Sequence, residues 1–200
     1  NIGKIPLTSS ELVKALFLRN SQDSIIQNRQ EEISLQWDNI ERDLHDETFW
    51  AFLTNTPGEK YATRIDFLLD LMAGKTTEEK DDYYTFFYFD KKHKEGEDLY
   101  KIWEGIVHTF LTLKEWRYNH ELYHKIGYLI SCGEVSLGHI YQQSKSCTKK
   151  ELKSYLNDEI TRSIQFKIPY SELSYEKNPN EIERLLLLFN IESVRTIDNN

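Results

Sequence analysis

Apolar positions recur along this chain at helical spacing. Leu12, Val13, Leu16 and Phe17 form one face of a short helix ending near Arg19 and Asn20. Thr8 and Glu11 have capping-box spacing at its start, with Leu7 and Leu12 placed as a hydrophobic staple. A longer helix is predicted to begin near Asp23 or Ser24, where Ile26, Ile33, Trp37, Ile40 and Leu44 trace an amphipathic stripe. Asp46 is placed to cap a short continuation through Phe49, Trp50, Phe52 and Leu53, and Asn55-Thr56-Pro57-Gly58 reads as a turn. Thr63 is placed to cap a helix carrying Ile65, Leu68, Leu69 and Met72, with Gly74 as its C-terminal stop.

The stretch 74–96 reads as a charged connector interrupted by the aromatic run Tyr83–Phe89, whose period fits helix and buried strand equally; Lys91–Gly96 reads as a solvated loop. Beyond it, Leu99, Ile102, Trp103, Ile106, Phe110 and Leu113 form a long stripe, and Leu122, Ile126 and Leu129 the next. A shorter helix is predicted around Leu137, Ile140 and Tyr141, and Thr148 with Glu151 has capping-box spacing ahead of Leu152, Leu156 and Ile160. Ile164, Phe166 and Ile168 alternate, which predicts a short extended segment over 164–168 stopped by Pro169. Pro179 suits the first position of a last helix carrying Ile182, Leu185, Leu186 and Phe189. The expected fold is all-α, a bundle-like assembly of about eight helices.

Composition agrees with this reading. The 200 residues are 39% hydrophobic and 29% charged, with only eight Gly and four Pro, which leaves little punctuation for a many-stranded protein. No apolar run approaches the roughly 20 residues that cross a bilayer, so no membrane partner is expected. Cys132 and Cys147 stand in no CxxC or CxxH spacing and are expected to be reduced thiols of a cytoplasmic protein. The net charge of −8 repels nucleic acid unless basic residues are segregated to one face. Two basic clusters are candidates for phosphate contact: Lys91, Lys92, His93 and Lys94, and Lys145, Lys149, Lys150 and Lys153. A solvated surface is the simpler expectation for both.

The motif with the clearest chemistry is His120-Glu121-Leu122-Tyr123-His124, which reads HExxH. On a helix it sets two imidazoles one turn apart, where they can share a zinc while Glu121 acts as general base of a metallopeptidase. Against this, no third ligand follows at a characteristic spacing, and Lys125 stands directly after the second histidine. At about 100° per residue, His120 and His124 project opposite to Leu122, Ile126 and Leu129. Two exposed histidines are therefore expected, with no metal bound. Phosphate-binding glycine loops, GxSxG and an HNH-like pairing of His with Asn are all missing from the sequence.

Longer stretches resemble a known family. Asn1-Ile2-Gly3, followed by Leu7-Thr8-Ser9-Ser10-Glu11-Leu12, is similar to the end of an F-x-x-x-N-x-G motif and the Leu-(Ser/Thr)-x-x-Glu-Leu helix after it in GmrSD-type restriction endonucleases. The resemblance continues through Trp37-Asp38-x-Ile40-Glu41, Phe49-Trp50-x-Phe52-Leu53 and Thr63-Arg64-Ile65-Asp66-x-Leu68. It then takes in Trp116-Arg117-Tyr118, Tyr123-His124-x-Ile126-Gly127-Tyr128-Leu129-Ile130 and Arg184-Leu185-Leu186-Leu187-Leu188-Phe189-Asn190. In that family a ParB-like, nucleotide-handling domain with a DGQQR motif precedes this region, and an HNH nuclease domain follows it. The resemblance implies that residues 1–20 are the tail of the ParB-like domain and 21–200 a helical domain between two catalytic centres. Asn1 and Gly3 are then the remnant of a nucleotide-binding motif. No catalytic residue and no cofactor are expected within the chain itself. An NTP, a divalent metal ion and foreign, modified DNA are implied for the whole protein, whose defence role is cytoplasmic. An unrelated helical protein-interaction scaffold is the alternative reading of the same residues.

Overall fold

The computed structural model describes residue 3 and residues 5–19, 24–133 and 135–163. Among these, nine α-helices and a single 3₁₀ turn account for the regular structure, and no strand occurs. The helices are α1 Ser9–Leu18, α2 Ser24–Leu44, α3 Glu47–Leu53, α4 Ile65–Ala73, α5 Tyr84–Lys94, α6 Leu99–Tyr118, α7 His120–Cys132, α8 Leu137–Ser144 and α9 Lys149–Ser163. The 3₁₀ turn is Gly58–Lys60. The expected extended segment over 164–168, the helix after Pro179 and the Leu-rich signature lie outside the described residues.

The chain crosses three times between two compact units. One consists of residues 1–45 and 58–112, the other of 46–57 and 113–200. The division is therefore not sequential: α1 packs with α2, α4 and α5 inside the first unit, and the loop and helix at 46–57 belong to the second.

In the first unit, the α1 stripe buries Val13 and Phe17 completely, against Ile33, Trp37, Ile40 and Leu44 of α2 and the α4 residues Ile65, Leu68 and Leu69. Trp103 of α6 is the hub. Its ring meets the Phe17 ring edge-on at 5.6 Å and stacks on Trp37 at 6.0 Å. Burying an indole would orphan its N–H, and Trp103 Nε1 donates instead to Gln36 Oε1 at 2.6 Å. The undecided aromatic run is helical: α5 lays Thr85 and Phe89 inward, and Thr85 donates to Asp70 of α4 at 2.5 Å. The helix continues through Lys94, so Lys91–Lys94 form its last turn rather than a loop. There they suit the partial negative charge of a helix C-terminus.

The helix caps follow local sequence where the sequence supplies one. Thr8 and Glu11 close a reciprocal capping box at α1, and Thr148 with Glu151 does the same at α9. Asp46 accepts from Phe49 N–H at α3, and Gly74 ends α4 in the left-handed region at φ 71°. The start of α4 departs from expectation. Thr63 does not cap it; the N-cap is Arg64, whose side chain makes no cap bond. The donors are satisfied from a distance in sequence, by Glu41 of α2, which accepts from Arg64 N–H at 3.0 Å and Ile65 N–H at 2.8 Å. Arg64 answers by donating from Nη1 to the Leu44 carbonyl, one of the last acceptors of α2, at 3.0 Å. Thr63 and Ser10 both turn to Asp66, whose carboxylate accepts from both their backbone N–H groups and from the Thr63 hydroxyl.

In the second unit α7 is the central element, packed by α3, α8 and α9. Phe52 and Leu53 of α3, Leu122, Ile126 and Leu129 of α7, Ile140 of α8, and Leu156 and Ile160 of α9 are completely buried. The Phe52 and Tyr123 rings lie 5.4 Å apart.

Replacing Glu41 by Ala leaves two amides at the start of α4 without their acceptor, a loss of about 1–2 kcal/mol by analogy with N-cap removal. We expect the melting temperature to fall by roughly 3–6 °C, measured by circular dichroism. A fall no larger than that of the neighbouring exposed change Arg42→Ala would show that the cap is dispensable.

Candidate functional site

Asn119 opens α7 by accepting from Leu122 N–H at 3.0 Å, and this sets the phase of the HExxH residues on the helix. His120 is exposed and its ring meets that of His124 edge-on at 4.7 Å. His124 departs from expectation: it is only 2% exposed. The amphipathic pattern assigns its side of α7 to water, but the helix is buried continuously from Leu122 to Ile130. Packing by three helices leaves no wet side for most of its length. The rings of Tyr123 and His124 lie 5.0 Å apart, within that packed interior.

Lys125 has the more consequential position. Its side chain is 0% exposed. Glu121, one turn earlier, contacts Lys125 Nζ through Oε1 at 2.5 Å, and its other oxygen lies 2.6 Å from Lys153 Nζ of α9. One carboxylate thus bridges two ammonium groups on two helices. Burial pushes the Glu121 carboxyl up, but hydrogen bonds and attraction from Lys125 and Lys153 outweigh it and hold the group below the ordinary carboxylate range. Burial pushes the Lys125 ammonium down, Glu121 opposes this, and repulsion from Lys153 adds to it; the group ends below the ordinary lysine value.

These groups are badly arranged for the peptidase chemistry that the motif suggests. A general base must have an oxygen available and a proton affinity near neutrality. Both Glu121 oxygens are engaged by cations, and its proton affinity is lowered. Of the two imidazoles one is exposed and the other enclosed, and among the described residues no three His, Cys, Asp or Glu side chains come together to hold a metal ion. The motif instead joins α7 to α9. Sequence spacing alone gives no sign of this, because Lys153 is 28 residues beyond Lys125 in the numbering.

The other candidate residues are dispersed. Asn1 lies outside the described residues. Gly3 is exposed, and among the described residues nothing lies within 4 Å of the position a Cβ would take. The first basic cluster is matched by acids of its own neighbourhood: Lys91 pairs with Glu95 at 3.7 Å, Lys92 with Glu97 at 3.4 Å and Lys94 with Asp90 at 2.6 Å. In the second, Lys149 pairs with Glu115 at 2.6 Å, Lys153 with Glu121, and Lys145 lies over the Tyr141 ring at 4.8 Å. Cys132 and Cys147 are partly buried thiols. No helix among the described residues is long and apolar enough to cross a membrane.

No family model matches the sequence, and no curated protein or solved structure is significantly similar to it.

Glu121→Gln removes the countercharge of an enclosed ammonium, for which about 3–5 kcal/mol is typical of a fully buried pair. Glu121 is itself 39% exposed, so solvent screening reduces the expected loss to about 1–3 kcal/mol. Lys125→Met keeps the stem and removes the charge, and should be neutral or stabilising. Chemical denaturation separates the two, and equal losses would contradict a charge-pair role.

The pH dependence follows from the signs of the two shifts. A depressed acid stabilises the fold above its unfolded value and loses that contribution as pH falls through the folded one. A depressed base binds fewer protons folded than unfolded, so its burial cost is relieved as pH rises between those values. Wild-type protein should therefore lose stability on acidification more steeply than Glu121→Gln. Lys125→Met should abolish the alkaline gain. Both are read from urea midpoints across pH.

Proposed function

We propose that this chain is the non-catalytic helical region of a GmrSD-like, nucleotide-dependent restriction endonuclease that cleaves modified foreign DNA. The observation that carries this reading is the order of the family-like segments along the chain, from Asn1-Ile2-Gly3 to the Leu-rich stretch ending at Asn190. A second observation supports a structural rather than a chemical role. Three polar residues within those segments hold helices together: Glu41 caps α4, Arg64 closes α2, and Asp66 receives the start of α1. The apolar ones, Trp37, Trp50, Phe52, Leu53, Ile65, Trp116 and Ile126, are core. Conserving such positions would preserve a scaffold, and the reactions would belong to a ParB-like domain on one side and an HNH domain on the other.

In this reading a divalent metal ion held by the HNH domain would supply activation of water for phosphodiester cleavage, and the NTP would bind the ParB-like domain; no residue of this chain is assigned to hold either. The net charge of −8 weighs against this region as the main DNA-binding surface. Its contribution is to hold or couple the flanking domains.

The test is the full-length protein, assayed with NTP and Mg²⁺ on modified phage DNA and on unmodified DNA. We expect cleavage of modified DNA by the whole protein and none by residues 1–200 alone. Inactivity of the whole protein on every DNA and nucleotide tried, or cleavage by the 200 residues alone, would overturn the proposal. Zinc analysis addresses the peptidase alternative: the purified chain should carry no stoichiometric zinc, and His120→Ala should leave its metal content unchanged.

A further inference from the structure

Arg117, half-buried in the last turn of α6, is a cation without a carboxylate. Its guanidinium lies over the Tyr123 ring at 4.4 Å and stands 5.9 Å from the Tyr118 ring. Among the described residues no ion pair or hydrogen bond engages it. Ring contact of this kind uses none of the five N–H donors as hydrogen bonds. The end of α6 offsets only about half an elementary charge. The two acids nearest in sequence are engaged elsewhere: Glu115 pairs with Lys149 at 2.6 Å, and Glu121 with Lys125 and Lys153. Between them stand Tyr118, 77% exposed, and His120, also exposed.

The surrounding charge favours an anion here. The stretch 113–153 holds seven Lys and Arg against four Glu, a net of +3 in a chain whose total is −8. Exposed charges are felt over about 10 Å at 0.1 M salt. A small anion beside Arg117 therefore senses the local excess, whereas a polyanion reaching past that distance meets a chain that is acidic elsewhere. The donors then decide between kinds of small anion. A carboxylate has two oxygens, which the arginine fork alone takes up. A phosphate monoester has three oxygens and a larger charge, so it can engage Arg117 and a second donor, His120, together. The exposed Tyr118 ring beside the guanidinium offers a face on which a planar group attached to that phosphate can stack.

We propose that Arg117, Tyr118 and His120, at the turn from α6 into α7, form a binding site for a small phosphate monoester carried on a planar ring. Arg117 receives the phosphate, His120 adds a donor, and Tyr118 stacks on the ring. Tyr123, packed on Phe52, holds the guanidinium from beneath. The inference is independent of the restriction-endonuclease reading. With two donors and one exposed ring the site is shallow, so the dissociation constant is on the order of 1 mM.

Titration of the 200-residue protein with phenyl phosphate, followed by two-dimensional amide NMR at constant ionic strength, tests this. We expect saturable shifts centred on residues 117–124, with phenyl phosphate binding roughly threefold tighter than inorganic phosphate. Sodium acetate should give no saturable shift. Arg117→Gln should weaken phenyl phosphate roughly tenfold. Because Arg117 also packs on Tyr123, Arg117→Lys is a second variant; it keeps the charge, loses the fork, and should weaken binding roughly threefold. His120→Gln, a change at an exposed position, should weaken both phosphates roughly threefold. Tyr118→Ala should remove the advantage of phenyl phosphate and leave inorganic phosphate unchanged. Replacing Lys91 and Lys94 of α5 by Gln should alter neither. Circular dichroism checks that each variant keeps its helix content. The absence of saturable shifts by ~30 mM overturns the proposal. So does acetate binding as tightly as phosphate, phenyl phosphate binding no tighter than inorganic phosphate, or affinity unmoved by the Arg117 and His120 changes.

Discussion

A polar group taken out of water must find its partner inside the protein, and that requirement organises both units. The most demanding case is Lys125, an ammonium with no exposure, on a helix covered along nine consecutive residues. Such a charge is tolerable only beside a countercharge. Glu121 supplies it from the preceding turn and, with its second oxygen, reaches Lys153 on α9. The interaction that makes α7 tolerable as a central helix is thus also one that ties its neighbour to it. Glu41 plays the corresponding part in the first unit, where a carboxylate of α2 satisfies the opening amides of α4.

This economy bears on function because it consumes the residues that look reactive. HExxH is a catalytic signature only when its glutamate is free and its histidines converge on an open site. Here the glutamate is held by two lysines and one histidine is enclosed. Arg64 is similarly occupied: a Cβ on Gly58 would stand 2.5 Å from its guanidinium, so the turn before α4 is shaped around that side chain. Arg64 and Lys125, both buried, thus serve contacts between or within helices. On α5, by contrast, the Phe87 ring remains exposed.

Much of the architecture was legible in the residue pattern. The stripes at Val13–Phe17, Ile33–Leu44 and Leu99–Leu113 are helices, and the caps at Thr8, Asp46, Gly74 and Thr148 are where short-range chemistry puts them. Each signal involves residues within one or two turns, so backbone geometry alone relates them. The pattern failed where burial was not one-sided. An amphipathic reading presumes that the face opposite the apolar stripe is wet, and this placed His124 in solvent when three packing helices enclose it.

The sequence by itself determined that the chain is helical, where most described helices start and stop, and that its net charge is acidic, because propensity, periodicity and capping are local properties. It also contained the order of family-like segments that motivates the functional reading. Only the tertiary structure decided what Glu41, Glu121, Lys125 and Lys153 do. Their partners, apart from the Glu121–Lys125 turn, lie more than 20 residues away in the chain, and the worth of any charge depends on the water that remains around it. The same holds for Tyr83–Phe89, where helix and strand were equally compatible with the residues. Packing against α1 and α4 selected the helix and left Phe87 facing out.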